Sequence, residues 1–469
     1  MTDWQAMGDE AARILSRYLQ INTTNPPGNE HLAAEMLATL LRERGLEPRL
    51  HESAPGRANL LTRLPGDGSA GAIILLHHMD VVTADSTRWS HDPFSGEIRD
   101  GYVWGRGAID MKGVGVMHLL ALDLLRRSGV PRKRDIVYLA VADEEMGSAY
   151  GVQWLLAHHW PEIEAEYVWD EGGFGLRDFF GPGVVFTVAV AEKQTLWLRL
   201  IAEGKPGHGG MPHADNANDI LVRALDRVLD YETPLRLHAV TQAMFQGIAQ
   251  MQPFPRSLLL RHLDNSLALS LARKALTAEP AINAVLRNTL SVTALRAGSK
   301  ENVIPERAVA VLDVRLLPGE DPGAFVEELE AVVADQRVQV EVIQHPEPTT
   351  VSAHDSTLFR AIAEVTARLV PGSITVPMLT PGATDSCFFR RKGINTYGLF
   401  PAIITPEDLA GLHGINERIS LENLRLGTHH PRRTERDVLL GVQSCVSILC
   451  LAHISPATWR WMRREAPSS

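Results

Sequence analysis

The sequence has little cysteine and no long uncharged apolar segment. Cys387, Cys445 and Cys450 are the only cysteines among 469 residues. They show no CxxC spacing and form no even-numbered framework, which favours a reducing compartment. The N-terminus lacks a basic stretch followed by an apolar core, so no secretory signal is indicated. The best apolar candidate, 438–454, contains polar residues that indicate a packed helix rather than a bilayer span. These absences predict a cytoplasmic protein with no membrane partner.

An excess of basic charge is also missing. The net charge is −10 and the isoelectric point is near 6.0, and the two short basic runs, 126–134 and 432–436, are mixed with acidic or apolar residues. Solvated helix ends explain such runs, so we predict no nucleic-acid partner. The hydrophobic fraction of 45% is typical of a globular protein. The length exceeds what one core usually organises, so two domains are expected.

Apolar runs that end in acidic residues recur in the first part of the chain. The run 135–142 precedes Asp143-Glu144-Glu145, and a second apolar stretch ends in Asp170-Glu171. Ligand sites of open α/β sheets form at the carboxyl ends of the strands. A succession of strand, acidic end and helix therefore predicts an α/β sheet with a ligand site at that edge.

The sequence pattern changes near residue 191, where apolar and polar residues begin to alternate as in half-buried strands. The α/β pattern returns after residue 348. We predict a discontinuous first domain, residues 1–191 and 349–469, with a mixed sheet flanked by helices, and an inserted α+β domain over residues 192–348. A leucine- and alanine-rich stretch at about 241–288 predicts a helical insert within the second domain.

Glu144 and Glu145 are adjacent carboxylates with two possible explanations. Neighbouring side chains on an extended chain point in opposite directions, so one could hold a metal while the other moves protons. The alternative is a surface turn that opens a helix, where the helix dipole favours acidic residues. Taken alone, the pair fits the surface turn better.

A histidine pair follows another strand-like run. Residues i and i+2 of a strand share a face, so His78 and Asp80 point the same way and His77 points to the opposite side. A carboxylate beside a histidine can accept its second ring N–H and fix the tautomer for metal binding. A structural pair is the more frequent alternative. Asp110 precedes a helical pattern, where it could be an N-cap or a carboxylate shared by two metal ions.

These candidates share a chemistry. Imidazole and carboxylate groups without thiolate are the ligands expected of catalytic zinc or a related divalent metal. A shared carboxylate with two further ligands per ion would make a two-metal hydrolytic site. An unliganded Glu144 could then take a proton from the attacking water and pass it to the leaving nitrogen. The candidates are His78, Asp110, Glu144, Glu145, Asp170, Glu171 and His413.

Several motifs, in order along the chain, resemble those of the M20 metallopeptidases. That family includes aminoacylases, glutamate carboxypeptidase, acetylornithine deacetylase and succinyl-diaminopimelate desuccinylase. The motifs are His78-x-Asp80, residues 105–113 (Gly-Arg-Gly-Ala-Ile-Asp-Met-Lys-Gly), Asp143-Glu144-Glu145, Asp170-Glu171-Gly172, Gly207-His208 and residues 413–417 (His-Gly-Ile-Asn-Glu).

The resemblance implies two divalent metal ions, zinc first, with cobalt or manganese as alternatives. It also implies that Asp80 orients His78 and that Glu144 is the general base. Glu171 is favoured over Asp170 as a ligand because many members place the ligating acid directly before Gly or Pro. The implied ligands are His78 with one acid of the pair Asp170 and Glu171 on one ion, Glu145 and His413 on the other, and Asp110 as the bridge.

By the same resemblance, the inserted domain is a lid that also forms a homodimer. His208 would reach the neighbouring subunit's active site and stabilise the developing oxyanion. Asn302 and Arg315 match substrate contacts, with Arg315 able to clamp a substrate carboxylate; without the family, a surface strand residue is the commoner explanation of Arg315. Gly382 and Thr384 match a loop near the substrate.

The function expected from these features is hydrolysis of an amide bond next to a free carboxylate, in an N-acyl-amino acid or a small peptide. A dipeptidase or carboxypeptidase of the same family is one alternative. A catalytically inactive binding protein of this fold is another, although the intact Glu144 argues against it. No G-x-S-x-G or H-E-x-x-H motif occurs, which disfavours a serine hydrolase and a thermolysin-type protease.

Overall fold

A computed structural model describes residues 4–345 and 349–424, together with residue 448. The predicted helix over 438–454 therefore lies outside the described residues except at Ile448, and so do Cys445, Cys450 and the basic run 432–436. None of the described helices combines the length and the apolar character that crossing a bilayer requires.

Helices and strands alternate through most of the described chain. The α-helices are α1 (Trp4–Leu19), α2 (Glu30–Glu43), α3 (Lys112–Ser128), α4 (Val152–His158), α5 (Trp160–Ile163), α6 (Ala217–Asp230), α7 (Ala239–Ile248), α8 (Arg256–Arg261), α9 (Ser266–Thr277), α10 (Pro280–Val285), α11 (Pro322–Val333), α12 (Thr357–Leu369), α13 (Ser386–Arg391), α14 (Pro406–Gly411) and α15 (Leu421–Leu424).

The strands belong to one large sheet and three smaller ones. They are β1 (Arg49–Ala54), β2 (Arg57–Leu64), β3 (Ile73–His78), β4 (Ile98–Arg99), β5 (Tyr102–Trp104), β6 (Ile136–Val141), β7 (Tyr167–Asp170), β8 (Gly175–Arg177), β9 (Val184–Glu192), β10 (Gln194–Glu203), β11 (Gly207–His208), β12 (Thr289–Ala297), β13 (Val303–Ile304), β14 (Arg307–Leu316), β15 (Val338–Gln344), β16 (Ile374–Thr380), β17 (Asn395–Gly398), β18 (Ile403–Ile404) and β19 (Arg418–Ser420).

The large sheet is mixed and has ten strands, in the order β1-β2-β6-β3-β7-β17-β9-β8-β18, with β16 paired to β9. Strand β3 is parallel to both of its neighbours, β6 and β7, whereas β2 is antiparallel to β6. Helices flank the sheet, which confirms the predicted α/β class. Because β6, β3 and β7 are parallel neighbours, the acidic segments that follow them meet at one edge of the sheet.

The central strands are buried on both faces. In β6, Ile136 and Tyr138 belong to one apolar core, while Val137 and Leu139 belong to a second core that also includes Leu155 of α4. Alternate side chains of a strand point to opposite faces, so an unbroken apolar sequence indicates a strand covered on both sides. The same sequence feature predicted the strand.

The second sheet has four antiparallel strands in the order β12-β14-β10-β15. Strand β14 alternates between buried and more exposed residues, because α6 and α11 pack with this sheet and share its core. Leu198, Leu312, Ile220 and Leu329 belong to this core, which is separate from those of the large sheet. Residues 194–344 thus include a unit with its own apolar interior.

Helices α7–α10 lie within the same stretch of sequence but pack elsewhere. Phe245 and Ile248 of α7 belong to a core of the large sheet, and α7 contacts β16. A Cβ atom on Gly247 would lie 2.5 Å from Val376 Cγ1, so the glycine permits the close approach of helix and strand. The helices predicted at about 241–288 therefore extend the large sheet's core rather than the core of the four-stranded sheet.

The two chain connections to the four-stranded unit lie close together. The outgoing chain passes from β9 to β10 through Lys193, whose buried ammonium group donates to the carbonyl oxygens of Ala284 and Arg287 at 2.9 Å. On the return, Ser352 N donates to Val190 O at 2.8 Å. The segment between these points is an insertion whose ends meet at β9.

Candidate active site

Asp110 lies at the centre of a cluster of side chains at the carboxyl edge of the large sheet. Its Oδ1 atom is 3.0 Å from His78 Nε2 and its Oδ2 atom is 2.9 Å from His413 Nε2. Glu171 Oε1 is 3.6 Å from His78 Nε2, and Glu145 Oε2 is 3.5 Å from His413 Nε2. The structure thus brings together the five side chains expected to hold two metal ions.

The chain position of Asp110 rules out a simple capping role. Helix α3 begins at Lys112, and its N-cap residue is Met111, with no side-chain cap. The two oxygens of Asp110 instead contact two different imidazoles, which is the arrangement that a bridging carboxylate requires.

Glu144 and Glu145 have different surroundings, but not for the reason that the sequence suggested. They lie in a 3-10 turn, Glu144–Met146, rather than on an extended strand, and Asp143 begins the turn with a positive φ of 72°. Ligand atoms of Glu144 lie within 4.8 Å of those of His78 and Glu171, whereas those of Glu145 lie equally close to His78 and Asp110. The turn therefore directs the two carboxylates to different parts of the cluster.

The pair Asp170 and Glu171 is divided by its hydrogen bonds. Asp170 Oδ2 accepts a hydrogen bond from Ser386 Oγ at 2.7 Å, and burial raises the pKa of Asp170 to about 6. Glu171 is the acid whose oxygen approaches His78. This geometry favours Glu171 as the metal ligand.

Buried carboxylates outnumber the imidazoles of the cluster. Burial raises the pKa of Glu144 and of Glu171 well above the usual range, and the charges of nearby carboxylates add to the effect. Burial acts the same way on Asp110, but hydrogen bonds from His413 and His78 hold its pKa well below the usual range. Contact with Asp110 raises the pKa of His413 to about 10. The site therefore attracts protons or cations.

A divalent cation fits these residues. Glu145 Oε1 is buried and has no hydrogen-bond partner among the described residues, and a buried polar atom without a partner is costly. A cation would pair with this atom and offset the surplus negative charge. Imidazole nitrogens and carboxylate oxygens without sulfur are the ligands of zinc and related metals in catalytic sites.

Asp80 connects β3 to the acidic turn. His78 Nδ1 lies 2.9 Å from the main-chain oxygen of Asp80 and 3.5 Å from its carboxylate Oδ1, so the closer acceptor is the carbonyl and not the predicted carboxylate. The two carboxylate oxygens instead accept the backbone N–H groups of Glu144 and Glu145, each at 3.1 Å. Asp80 therefore positions both the imidazole and the turn.

A buried network behind Asp80 could not be predicted from the sequence. Asn25 Nδ2 donates to Asp80 Oδ2 at 2.8 Å and to Asp143 Oδ1 at 3.0 Å. Arg57 donates to Asp143 at 2.8 Å and to both oxygens of Glu30. The charged members pair with one another in the interior, so the network fixes the start of the acidic turn.

Glu417 holds the backbone around Asp110. Its Oε1 atom accepts the N–H groups of Ile109 and Asp110 at 2.8 and 3.1 Å, and its Oε2 atom accepts that of Gly107 and a bond from Arg106 Nη1 at 2.7 Å. Glu417 is fully buried. It belongs to the motif at 413–417, which was the available sequence signal, although no role was assigned to it.

The predicted lid residues lie apart from the cluster in this chain. Strands β11 and β13 pair His208 with Val303, and Gly209 N donates to Asn302 O at 2.8 Å, so His208 and Asn302 are brought together. Both side chains are exposed. His208 Nδ1 accepts the N–H of Gly210 at 3.0 Å, and His208 is not among the described side chains that converge on Asp110.

The remaining predicted substrate contacts have partners within the chain or border open space. Arg315 makes a bidentate pair with Asp313, at 2.7 and 3.1 Å, where a substrate carboxylate was expected. Thr384 Oγ1 donates to Glu192 at 2.6 Å. A Cβ atom on Gly382 would have no atom within 4 Å, so this loop leaves space beside it.

Comparisons with known proteins give a consistent result. The profile of "Peptidase family M20/M25/M40" matches residues 74–433. The N-fatty-acyl-amino acid synthase/hydrolase PM20D1 of Homo sapiens is 32% identical over 381 residues, which cover 79% of this chain and 75% of the human protein. Aminoacylase-1 of Sus scrofa is 28% identical over 412 residues, which cover 87% and 89%.

Solved structures share the fold. The M20 family metallo-carboxypeptidase Sso-CP2 from Sulfolobus solfataricus superimposes with a TM-score of 0.69 over 95% of this chain and 99% of its own. Its sequence identity is 18%, so the likeness concerns the architecture alone.

Proposed function

The chain belongs to peptidase family M20/M25/M40 and is a hydrolase, and we propose that it cleaves the amide bond of an N-acyl-amino acid whose carboxylate is free. The observation that supports this most is the double contact of Asp110, which joins His78 and His413 with one carboxylate. The similarity to an N-fatty-acyl-amino acid synthase/hydrolase and to an aminoacylase favours the acylated substrate.

Two divalent cations fit the cluster, with zinc as the first choice and cobalt or manganese as alternatives. His78, Asp110 and Glu171 would hold one ion. Asp110, Glu145 and His413 would hold the other. When bound, the ions supply Lewis-acid polarisation of the scissile carbonyl.

Glu144 would act as the general base and then as the acid. It takes a proton from the attacking water as the water oxygen bonds to the carbonyl carbon, and it delivers that proton to the amide nitrogen as the C–N bond breaks. The carboxylate form of Glu144, which accepts the proton, would be favoured by the bound cations, and burial, which raises the pKa of Glu144, would help it hold that proton until the leaving nitrogen accepts it. Asp80 keeps the backbone of Glu144 in place through its carboxylate.

His208 would donate a hydrogen bond to the oxyanion that develops on a substrate bound in the active site of the partner subunit. We expect His208→Ala to lower kcat by about 10²–10³-fold, as for the loss of an oxyanion donor, without a change in metal content. Steady-state kinetics and elemental analysis measure the two quantities. His213→Ala, in the same loop, is the matched control and should retain activity. A large loss of metal from the His208 variant would contradict this role.

The homodimer can be tested by mixing inactive variants. If His208 acts across the dimer, subunits carrying His208→Ala and Glu144→Ala complement each other, because each hybrid dimer contains one site with both groups intact. Unfolding and refolding a 1:1 mixture should restore about a quarter of the wild-type activity in a twofold dimer. No gain above the separate variants would place His208 outside the neighbouring site.

A substrate panel tests the reaction class. We expect zinc- or cobalt-loaded protein to release amine from N-acetyl, N-succinyl or long-chain N-acyl amino acids, and to lose this activity after chelation and regain it on metal addition. Dipeptides belong in the same panel, since the matched family is a peptidase family, which makes peptidase activity the second candidate. Faster turnover of dipeptides than of every acylated substrate would replace the proposed substrate class.

A further inference from the structure

A second group of metal-binding side chains lies outside the cluster around Asp110. It consists of His51 on the edge strand β1, His159 after α4, and Glu162 in α5, and one ligand atom from each lies within 4.8 Å of the others. His159 Nδ1 is 2.9 Å from Glu162 Oε1, and His51 Nε2 is 3.5 Å from Glu162 Oε2. Glu162 thus directs one oxygen to each imidazole.

The histidines of this group are ordered by contact with each other. Their ring centroids are 4.0 Å apart with a 41° angle between the planes. The side chains of His51, His159 and Glu162 are 15%, 25% and 27% exposed, so they are shielded but still reachable. His51 Nε2 is buried and lacks a hydrogen-bond partner among the described residues. The contact of 3.5 Å with Glu162 Oε2 is too long to satisfy this nitrogen, which is therefore poorly paired at the place where the other two side chains meet.

We propose that His51, His159 and Glu162 form a binding site for one divalent transition-metal cation, with zinc or copper as the best matched. Two imidazoles and one carboxylate are the ligand set that these ions accept. A bound cation would pair with His51 Nε2. It would also connect the edge strand β1 to the α4–α5 turn, so its main effect would be on stability.

The surroundings leave a way in for the ion. A groove of about 840 Å³ beside the group of His51, His159 and Glu162 includes Glu162 and Arg49 in its wall. Arg49 Nη1 now pairs with Glu162 Oε2 at 3.1 Å, but the Arg49 side chain is 70% exposed. The guanidinium can therefore turn into solvent when a cation takes its place, and such an exposed pair costs little to break. Water from the groove can fill the remaining coordination positions.

Metal stoichiometry tests the site without reference to turnover. Full-length protein is stripped with a chelator, loaded with zinc, desalted and analysed for bound metal. We expect His159→Gln to bind one equivalent less than the wild type. His158→Gln is the matched control, because His158 is the adjacent imidazole and its ring bonds to Trp154 O rather than to a member of the proposed site. Equal zinc content in the wild type and the His159→Gln variant would overturn the proposal. If this variant does not fold, His51→Gln serves the same purpose.

Copper loading gives a second readout that separates this site from the active site. Each proposed active-site ion has one histidine ligand, whereas the new site has two. Electron paramagnetic resonance of the Cu²⁺ protein should show coupling to two imidazole nitrogens, and His159→Gln should abolish this signal while turnover of the zinc enzyme stays unchanged. The absence of a two-nitrogen signal in the wild type would also refute the site. Loss of turnover on the substrate panel, by contrast, would concern only the proposed function.

Discussion

Replacement of Glu144 by alanine is expected to lower kcat by about 10²–10⁴-fold, the range that general acid–base catalysis contributes. Metal content should remain at the wild-type level, because the oxygens that approach the two imidazoles belong to Asp110, Glu145 and Glu171. The large effect is expected because the carboxyl group of Glu144 has two roles: it accepts a proton from water and later donates that proton to the leaving nitrogen.

The comparison with Glu145 makes this experiment selective. Glu145 has a buried oxygen, Oε1, that is available to an ion. Glu145→Gln makes this side chain a weaker metal ligand, so the variant should lose metal together with activity. Stopped assays of amine release and elemental analysis on the two variants separate the roles. Comparable turnover of the Glu144 variant and the wild type, with both metals bound, would remove Glu144 as the base.

Glu417→Gln is expected to have the second largest effect, although the described hydrogen bonds of Glu417 go to Arg106 and to the backbone before Asp110 rather than to an imidazole. The substitution removes the charge that pairs with Arg106 and replaces an oxygen acceptor in the loop before Asp110. Removing one partner of a buried ion pair lowers the free energy of unfolding by about 3–5 kcal/mol. Altered positioning of a metal ligand typically lowers metal affinity by about 10–100-fold.

The matched control is Glu407→Gln. Glu407 pairs with Arg418 at 3.0 Å, but its side chain is 80% exposed, so the same chemical change should alter the free energy of unfolding by less than about 1 kcal/mol. Urea unfolding and competition for zinc with a chelating dye measure both quantities. If the two variants have equal stability and equal zinc affinity, Glu417 does not position Asp110.

The sequence was sufficient to predict the fold class and the family because both are encoded in continuous segments. The apolar run 135–142 corresponds to β6, and the acidic residues after β6 and β7 meet because those strands flank β3. The side chains converge on Asp110 for the same reason. The order of the motifs was therefore as informative as their composition.

The supporting contacts could not be predicted because they join residues that are distant in the sequence. Asn25 reaches Asp143 across 118 positions, and Glu417 reaches Asp110 across 307. No local periodicity encodes such pairs. The details of the acidic turn were also missed, because a 3-10 turn that starts from a positive φ is a tertiary outcome rather than a sequence preference. The pair of Arg315 with Asp313 is different, because the two residues are two positions apart on β14 and share a face, so the sequence could have indicated this contact.

The position of α7–α10 has a consequence for shortening this protein. Because Ser352 returns beside Val190, the insertion after β9 has closely spaced ends, which usually makes a segment easy to excise and replace with a short linker. Here a deletion of residues 194–345 would also remove Met244, Phe245 and Ile248 from the core beside β16. A minimal enzyme built on the large sheet must therefore retain these helices, even though they are encoded within the insertion.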